Sequence, residues 1–274
     1  MDTRKNITLS LRGKNADARF FSDFAVQKKQ KMKIKYALVF AAGLAVASQV
    51  TAGDITGTVT LNGTPPPAVG IGPLKDDAIC GQFYKDMPMT KFFVVGANKE
   101  LADVIVMLKG VTGKSTGASA APVVLDQKNC LYSPQIVAIQ TGQKLLVKNS
   151  DPQPVAMHNV HINPTVEANQ AANAALLNAA QMAGAADITY TFPAAENFQK
   201  FQCDVHKWMF AWVTIVDSPY FAVTDKDGKF TIKNVPAGKY TLTALHRKAA
   251  PTGVDKAIDV TADGAKQDFT LEIK

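Results

Sequence analysis

The sequence is poor in the residues that build elaborate cofactor sites. Its 274 residues contain three cysteines, four histidines and two tryptophans. Four histidines cannot supply several histidine-rich metal centres in one chain. There is no C-x-x-C-H haem attachment motif and no glycine-rich phosphate-binding loop. Charge of one sign is also lacking once its location is considered. The formal net charge is +7, but residues 1–52 hold ten of the Lys and Arg residues and only three acids, leaving twenty of each sign in the remainder. A neutral body gives no basis for nucleic-acid binding by counterion release.

The basic stretch has the form of an export signal. Met32-Lys-Ile-Lys-Tyr36 is a charged opening, Ala37–Ala47 is an apolar run, and Ser48-Gln-Val-Thr-Ala52 places small residues at Val50 and Ala52. The apolar run is short for a bilayer span. Cleavage is expected after Ala52, with no membrane span after signal removal and a periplasmic or secreted product. Residues 1–31 lack apolar periodicity and read as an extension upstream of a true start at Met32. Export also changes the meaning of three cysteines: a structural disulfide takes two and leaves one that something must occupy.

Beyond residue 52 the chain is patterned as all-β. Short runs rich in Val, Ile, Thr, Phe and Tyr alternate with turn residues, as in Asp54–Leu61, Asp103–Leu108, Gln135–Ile139, Lys144–Lys148, Phe210–Val216 and Lys229–Lys233. Strands so spaced predict sandwiches or barrels. Val166–Ala186 differs: it is rich in Ala and Asn and is expected to hold a short helix. The segments Thr224-Asp-Lys-Asp-Gly228, Lys229-Phe-Thr-Ile, Val235-Pro-Ala-Gly238 and Lys239-Tyr-Thr-Leu resemble the carboxypeptidase regulatory-like (transthyretin-like) sandwich over about 35 residues. Gly57-Thr-Val59 and Pro65-Pro-Pro67 fit the opening of such a module. The resemblance implies a discontinuous sandwich from 53–112 and 218–274, with a separate domain over 113–217 inserted. Two consecutive domains divided near Asp217 are the alternative.

The densest chemistry lies in Phe201-Gln-Cys203-Asp-Val-His206-Lys-Trp-Met209. A thiol, an imidazole and a thioether stand within seven residues. Electron-transfer copper sites take two histidine nitrogens and a cysteine sulfur, with a weak axial Met. A further imidazole is available upstream in Met157-His158-Asn159-Val160-His161, after the strand Lys144–Lys148. Taken alone, each residue has a simpler explanation: Met209 as core, Cys203 as a buried hydrophobe or disulfide partner, the histidines as hydrogen-bonded surface groups.

The H-N-V-H segment at 158–161 and the C-x-x-H-x-x-M segment at 203–209, in that order and separation, resemble the cupredoxins of the amicyanin and plastocyanin type. The resemblance implies a Greek-key β-sandwich beside the smaller transthyretin-like one. It implies one type 1 copper held by His158, Cys203, His206 and Met209, with Asn159 bracing the ligand loop. His161 remains the alternative to His158, and His246 has no assigned role. Cys80 and Cys130 then become the disulfide pair. Trp208, Phe210 and Pro154 either form an apolar patch at the second histidine or pack against the loop. The implied function is electron transfer rather than enzymatic conversion, with a redox partner such as a c-type cytochrome or a periplasmic dehydrogenase. Copper binding and delivery without electron transfer is the alternative. Cys203 with His206 could suggest a nucleophile and base, but acyl transfer does not account for Met209 and the distant His-Asn pair. The intact mass of the protein recovered from an exporting host should correspond to a chain beginning at Gly53; retention of residues 32–52 would contradict cleavage.

Overall fold

The computed structural model describes residues 51–111, 114–152 and 157–273. The expected export signal up to Val50 and Pro154 lie outside these residues, while Ala52, the expected last residue of the signal, begins the first strand. Among the described residues no helix is long and apolar enough to cross a membrane. The fold is all-β, with two hydrophobic cores each enclosed by a pair of sheets.

The first core is built from the middle of the chain. One sheet runs in the order β5 (Ile136–Gln140), β11 (Phe210–Val216), β10 (Glu196–Gln202), β7 (Met157–Ile162) and β8 (Asn178–Met182). The facing sheet orders β4 (Leu131–Ser133), β3 (Val123–Lys128), β6 (Leu145–Asn149) and β9 (Ile188–Tyr190). Strand alternation sends Leu125, Val137, Ile139, Leu145, Val147, Phe201 and Val213 inward. Phe201 meets Tyr190 edge-on at 5.4 Å between ring centroids and Phe192 at 6.3 Å, which fixes the end of β10 immediately before Cys203.

The second core joins the two ends of the chain. β1 (Ala52–Asn62) pairs antiparallel with β13 (Lys229–Pro236) and parallel with β16 (Ala265–Lys266) and β17 (Phe269–Glu272). Opposite it, β12 (Phe221–Val223), β2 (Ile105–Lys109), β14 (Gly238–His246) and β15 (Ala250–Val260) form an antiparallel sheet. The chain thus contributes β1 and β2 to this core, builds the first core, and returns at β12. Gly57 permits close packing here: a Cβ on it would lie 1.9 Å from the Gln267 carbonyl oxygen and 2.7 Å from the Phe230 ring.

Two segments depart from expectation. Within the 53–112 stretch, the segment containing α1 (Gly72–Asp76) and the 3-10 turn Cys80–Phe83 places Leu74 and Cys80 in the first core, not the second. The reason is covalent: Cys80 and Cys130 form a disulfide with Cα atoms 5.8 Å apart. The Val166–Ala186 region does contain a helix, α2 (Glu167–Ala172), but its second half is β8, an edge strand paired along β7.

His246, at the end of β14, is 3% exposed, and its Nδ1 accepts the backbone N–H groups of Lys248 (3.3 Å) and Ala249 (3.1 Å). Burial, then the Arg247 charge, push its pKa down to about 4 from 6.5. A base whose folded-state pKa is depressed contributes stability that is complete above the unfolded value and is lost as pH falls through the folded one. The fold should therefore lose roughly 3 kcal/mol through this group between pH 6.5 and 4. Denaturant titrations should show a smaller acid loss in His246→Asn, although that variant starts less stable at pH 7; an identical acid loss in both proteins would contradict the assignment.

Candidate metal centre

The loop that carries Cys203, His206 and Met209 is closed by its own backbone. Gln202 and Phe210 face each other across β10 and β11. The Cys203 N–H donates to the Met209 carbonyl (3.1 Å), and the Met209 N–H to that of His206 (2.8 Å). Met209 is fully buried in the first core, and Cys203 is 2% exposed. His158 comes from β7, which pairs with β10 through Ile162 and His161.

Three donor atoms converge. The Nδ1 atoms of His158 and His206 are 2.9 Å apart. The Cys203 sulfur lies 4.0 Å from the first and 3.8 Å from the second. Metal bonds of about 2 Å to nitrogen and 2.3 Å to sulfur fit inside this triangle, since each edge is shorter than the two bonds it would subtend. The donor set of two imidazoles and a thiolate suits copper.

The surroundings favour the thiolate. Burial pushes the Cys203 thiol up, but hydrogen bonds with His158 and His206 and with the backbone N–H groups of Asn159 and His206 outweigh it, bringing its pKa to about 6 from 9.0. Burial pushes His158 down, but its contacts with Asp151 and Cys203 outweigh that, raising its pKa to about 8 from 6.5. The two shifts favour the charged pair, thiolate and imidazolium, so a metal that takes His158 Nδ1 competes with a proton there.

The residues around the three donors hold them in place. Asp151 Oδ2 accepts from His158 Nε2 at 2.7 Å, with both side chains fully buried, which turns Nδ1 toward Cys203. The same carboxylate accepts the backbone N–H groups of Cys130 (3.0 Å) and Asn129. Asn159 reaches the 203–209 loop: its Oδ1 accepts the Asp204 N–H (2.7 Å) and its Nδ2 donates to Asp204 Oδ2 (2.9 Å). His161 is turned to Asp204, with Nδ1 2.9 Å from the carboxylate, while His158 stands with Cys203 and His206. His246 belongs to the second core's hairpin. Trp208 packs against the first core, 5.2 Å from the His206 ring centroid, and donates its indole N–H to the Cys130 carbonyl (3.0 Å).

Sequence reasoning did not identify Asp151 or Asp77. Asp77 accepts the N–H groups of Ile79 and Cys80, and its carboxylate lies within 4.8 Å of a His206 ring nitrogen and the Cys80 sulfur. The bond from Cys80 holds the Asp77 carboxyl below the usual range, against burial and with help from the His206 charge. The only sequence cue to Asp151 is its place in the turn Asn149-Ser-Asp-Pro152, seven residues before His158.

Comparison with known proteins gives partial likenesses. Residues 204–268 match a family described as polysaccharide lyase family 4, domain II. That description is not the transthyretin-like one expected for the C-terminal segment. The motif behind that expectation encodes turn chemistry common to small sandwiches: Asp225 Oδ1 accepts the N–H groups of Asp227 and Lys229, and Gly228 adopts a φ of 67°. No curated protein matches the chain significantly. Among solved structures, the Cu(I) form of a single-site mutant of amicyanin is 19% identical, covering 40% of this chain and 97% of that one at a TM-score of 0.26. A purple cupredoxin from Nitrosopumilus maritimus is 19% identical over 35% of this chain and 99% of its own, with a TM-score of 0.26. A copper-containing nitrite reductase from Thermus scotoductus SA-01 is 13% identical over 35% of this chain and 23% of its own, with a TM-score of 0.29.

Asp151→Asn removes the carboxylate charge and leaves one oxygen to serve His158 Nε2 and the N–H groups of Asn129 and Cys130, while keeping the side-chain volume. Competition titration should find copper(II) affinity weakened about 10–100-fold. Unchanged affinity would remove Asp151 from the account of the site.

Proposed function

We propose that the chain is an exported cupredoxin-type protein that holds one copper ion and passes single electrons between redox partners. The observation that carries this reading is the convergence of His158 Nδ1, His206 Nδ1 and a thiolate-biased Cys203 sulfur in one buried cluster. Met209, buried on the same loop, would be the weakest of the four donors. Copper bound there supplies a one-electron couple between Cu(I) and Cu(II).

The chain's own residues would then set the conditions for transfer. Asp151 orients the His158 ring, Asn159 braces the ligand loop through Asp204, and N–H groups of residues 159 and 206 share the charge on sulfur. Burial keeps water from the thiolate. A frame fixed by two strands and a disulfide limits rearrangement when the charge changes, and hydrogen bonding to the cysteine sulfur tunes the potential. This reading assigns no bond-making or bond-breaking step on a substrate. Its partner would be another redox protein, such as a c-type cytochrome or a periplasmic dehydrogenase.

The oxidised, copper-loaded protein should be intensely blue and show a narrow copper hyperfine splitting in electron spin resonance. Cys203→Ser should abolish the blue band while circular dichroism retains the β signature. A wild type that takes up copper but stays colourless with ordinary tetragonal spectra would favour storage or delivery instead.

A further inference from the structure

The outer face of β11 carries a feature that metal ligation does not require. Phe210, immediately after Met209, stacks on Phe92 with 6.1 Å between centroids, and Trp212 lies 6.3 Å beyond it on the same face. Phe92 is 40% exposed. Each of these rings has a cation beside it. The Arg247 guanidinium carbon lies 3.6 Å from the centroid of Trp212, Lys248 Nζ 5.0 Å from Phe92, and Lys200 Nζ 6.0 Å from Phe210. Lys91 lines the same cleft.

None of these four cations has an acidic group within 4 Å among the described residues, whereas eight other Lys or His groups do. The Arg247 Nε is buried with no hydrogen-bond partner among the described residues. Asp103, the one acid lining the cleft, faces Lys91 only at longer range. The body of the chain is close to neutral, so four cations gathered around three aromatic rings form a local excess that the composition does not require. Such a surface raises association rates for anionic partners and suits contact with an acidic protein face.

We infer that the Phe92–Phe210–Trp212 face, with Lys91, Lys200, Arg247 and Lys248, is the docking surface for an acidic redox protein. This rests on the electron-carrier reading for the partner's role. Its charge and place are independent of copper. The face begins one residue from Met209, so a protein seated on it would lie beside the ligand loop.

The test uses two inorganic anions as probes. Hexacyanochromate(III), redox-inert and paramagnetic, should broaden the amide resonances of residues 91–92, 200, 210–212 and 247–248 in both the copper(I) and the metal-free protein. Lys91→Glu/Lys248→Glu should abolish that broadening, while Lys239→Glu, at the opposite end of β14, should leave it. Oxidation of the copper(I) protein by hexacyanoferrate(III) at low salt should slow about tenfold or more in the double variant. The slowing should disappear at high salt. Broadening that is diffuse or lies elsewhere would overturn the surface, and so would a Lys239→Glu effect as large as that of the double variant. Failure to load copper would remove the kinetic arm and count against the electron-carrier reading, with the resonance map still deciding the surface.

Discussion

A buried thiolate needs compensation from every side, and the first sandwich is arranged around supplying it to Cys203. Burial alone would drive the proton back onto sulfur. Two imidazoles from different parts of the chain and two backbone N–H groups reverse that preference. For them to do so, the end of β10 must stop at Cys203, β7 must present residue 158 and not residue 161, and the 203–209 loop must close tightly. The aromatic packing behind Phe201, the β7–β10 register and the loop's own backbone bonds meet these three conditions.

The disulfide extends the arrangement outward. Cys80 and Cys130 join a strap from early in the chain to the β3–β4 turn, and each half-cystine is tied to a carboxylate beside a histidine of the cluster. Asp77 bonds the Cys80 N–H and stands near His206; Asp151 bonds the Cys130 N–H and the His158 ring. Trp208 adds a bond to the Cys130 carbonyl. The crosslink therefore does more than restrict the unfolded chain: it helps hold Asp151, which bonds the His158 ring, and Asp77, which stands near His206.

The legible part of this chain was the part in which composition tracks burial. Strands with one inward face, such as Asp54–Leu61 and Lys144–Lys148, alternate visibly, and the C-x-x-H-x-x-M loop carries its chemistry within seven residues. β8 was hidden because Asn178-Ala-Ala-Gln-Met182 has no β-branched residue. It is held by its neighbours, with Gln181 bonding Gln127 and the Val147 carbonyl and its own carbonyl accepting from Asn149. Asp151 and Asp77 were hidden because their partners are backbone groups and rings brought together only by the fold. The C-terminal motif says more about turns than about family, because residues that make tight turns recur across unrelated small sandwiches.

X-ray absorption at the copper edge of the loaded protein decides whether the two loops share one metal. One short sulfur neighbour together with two imidazole nitrogens is expected, the sulfur vanishing in Cys203→Ser. A first shell of nitrogen and oxygen alone in the wild type would mean that the two loops do not grip a common metal.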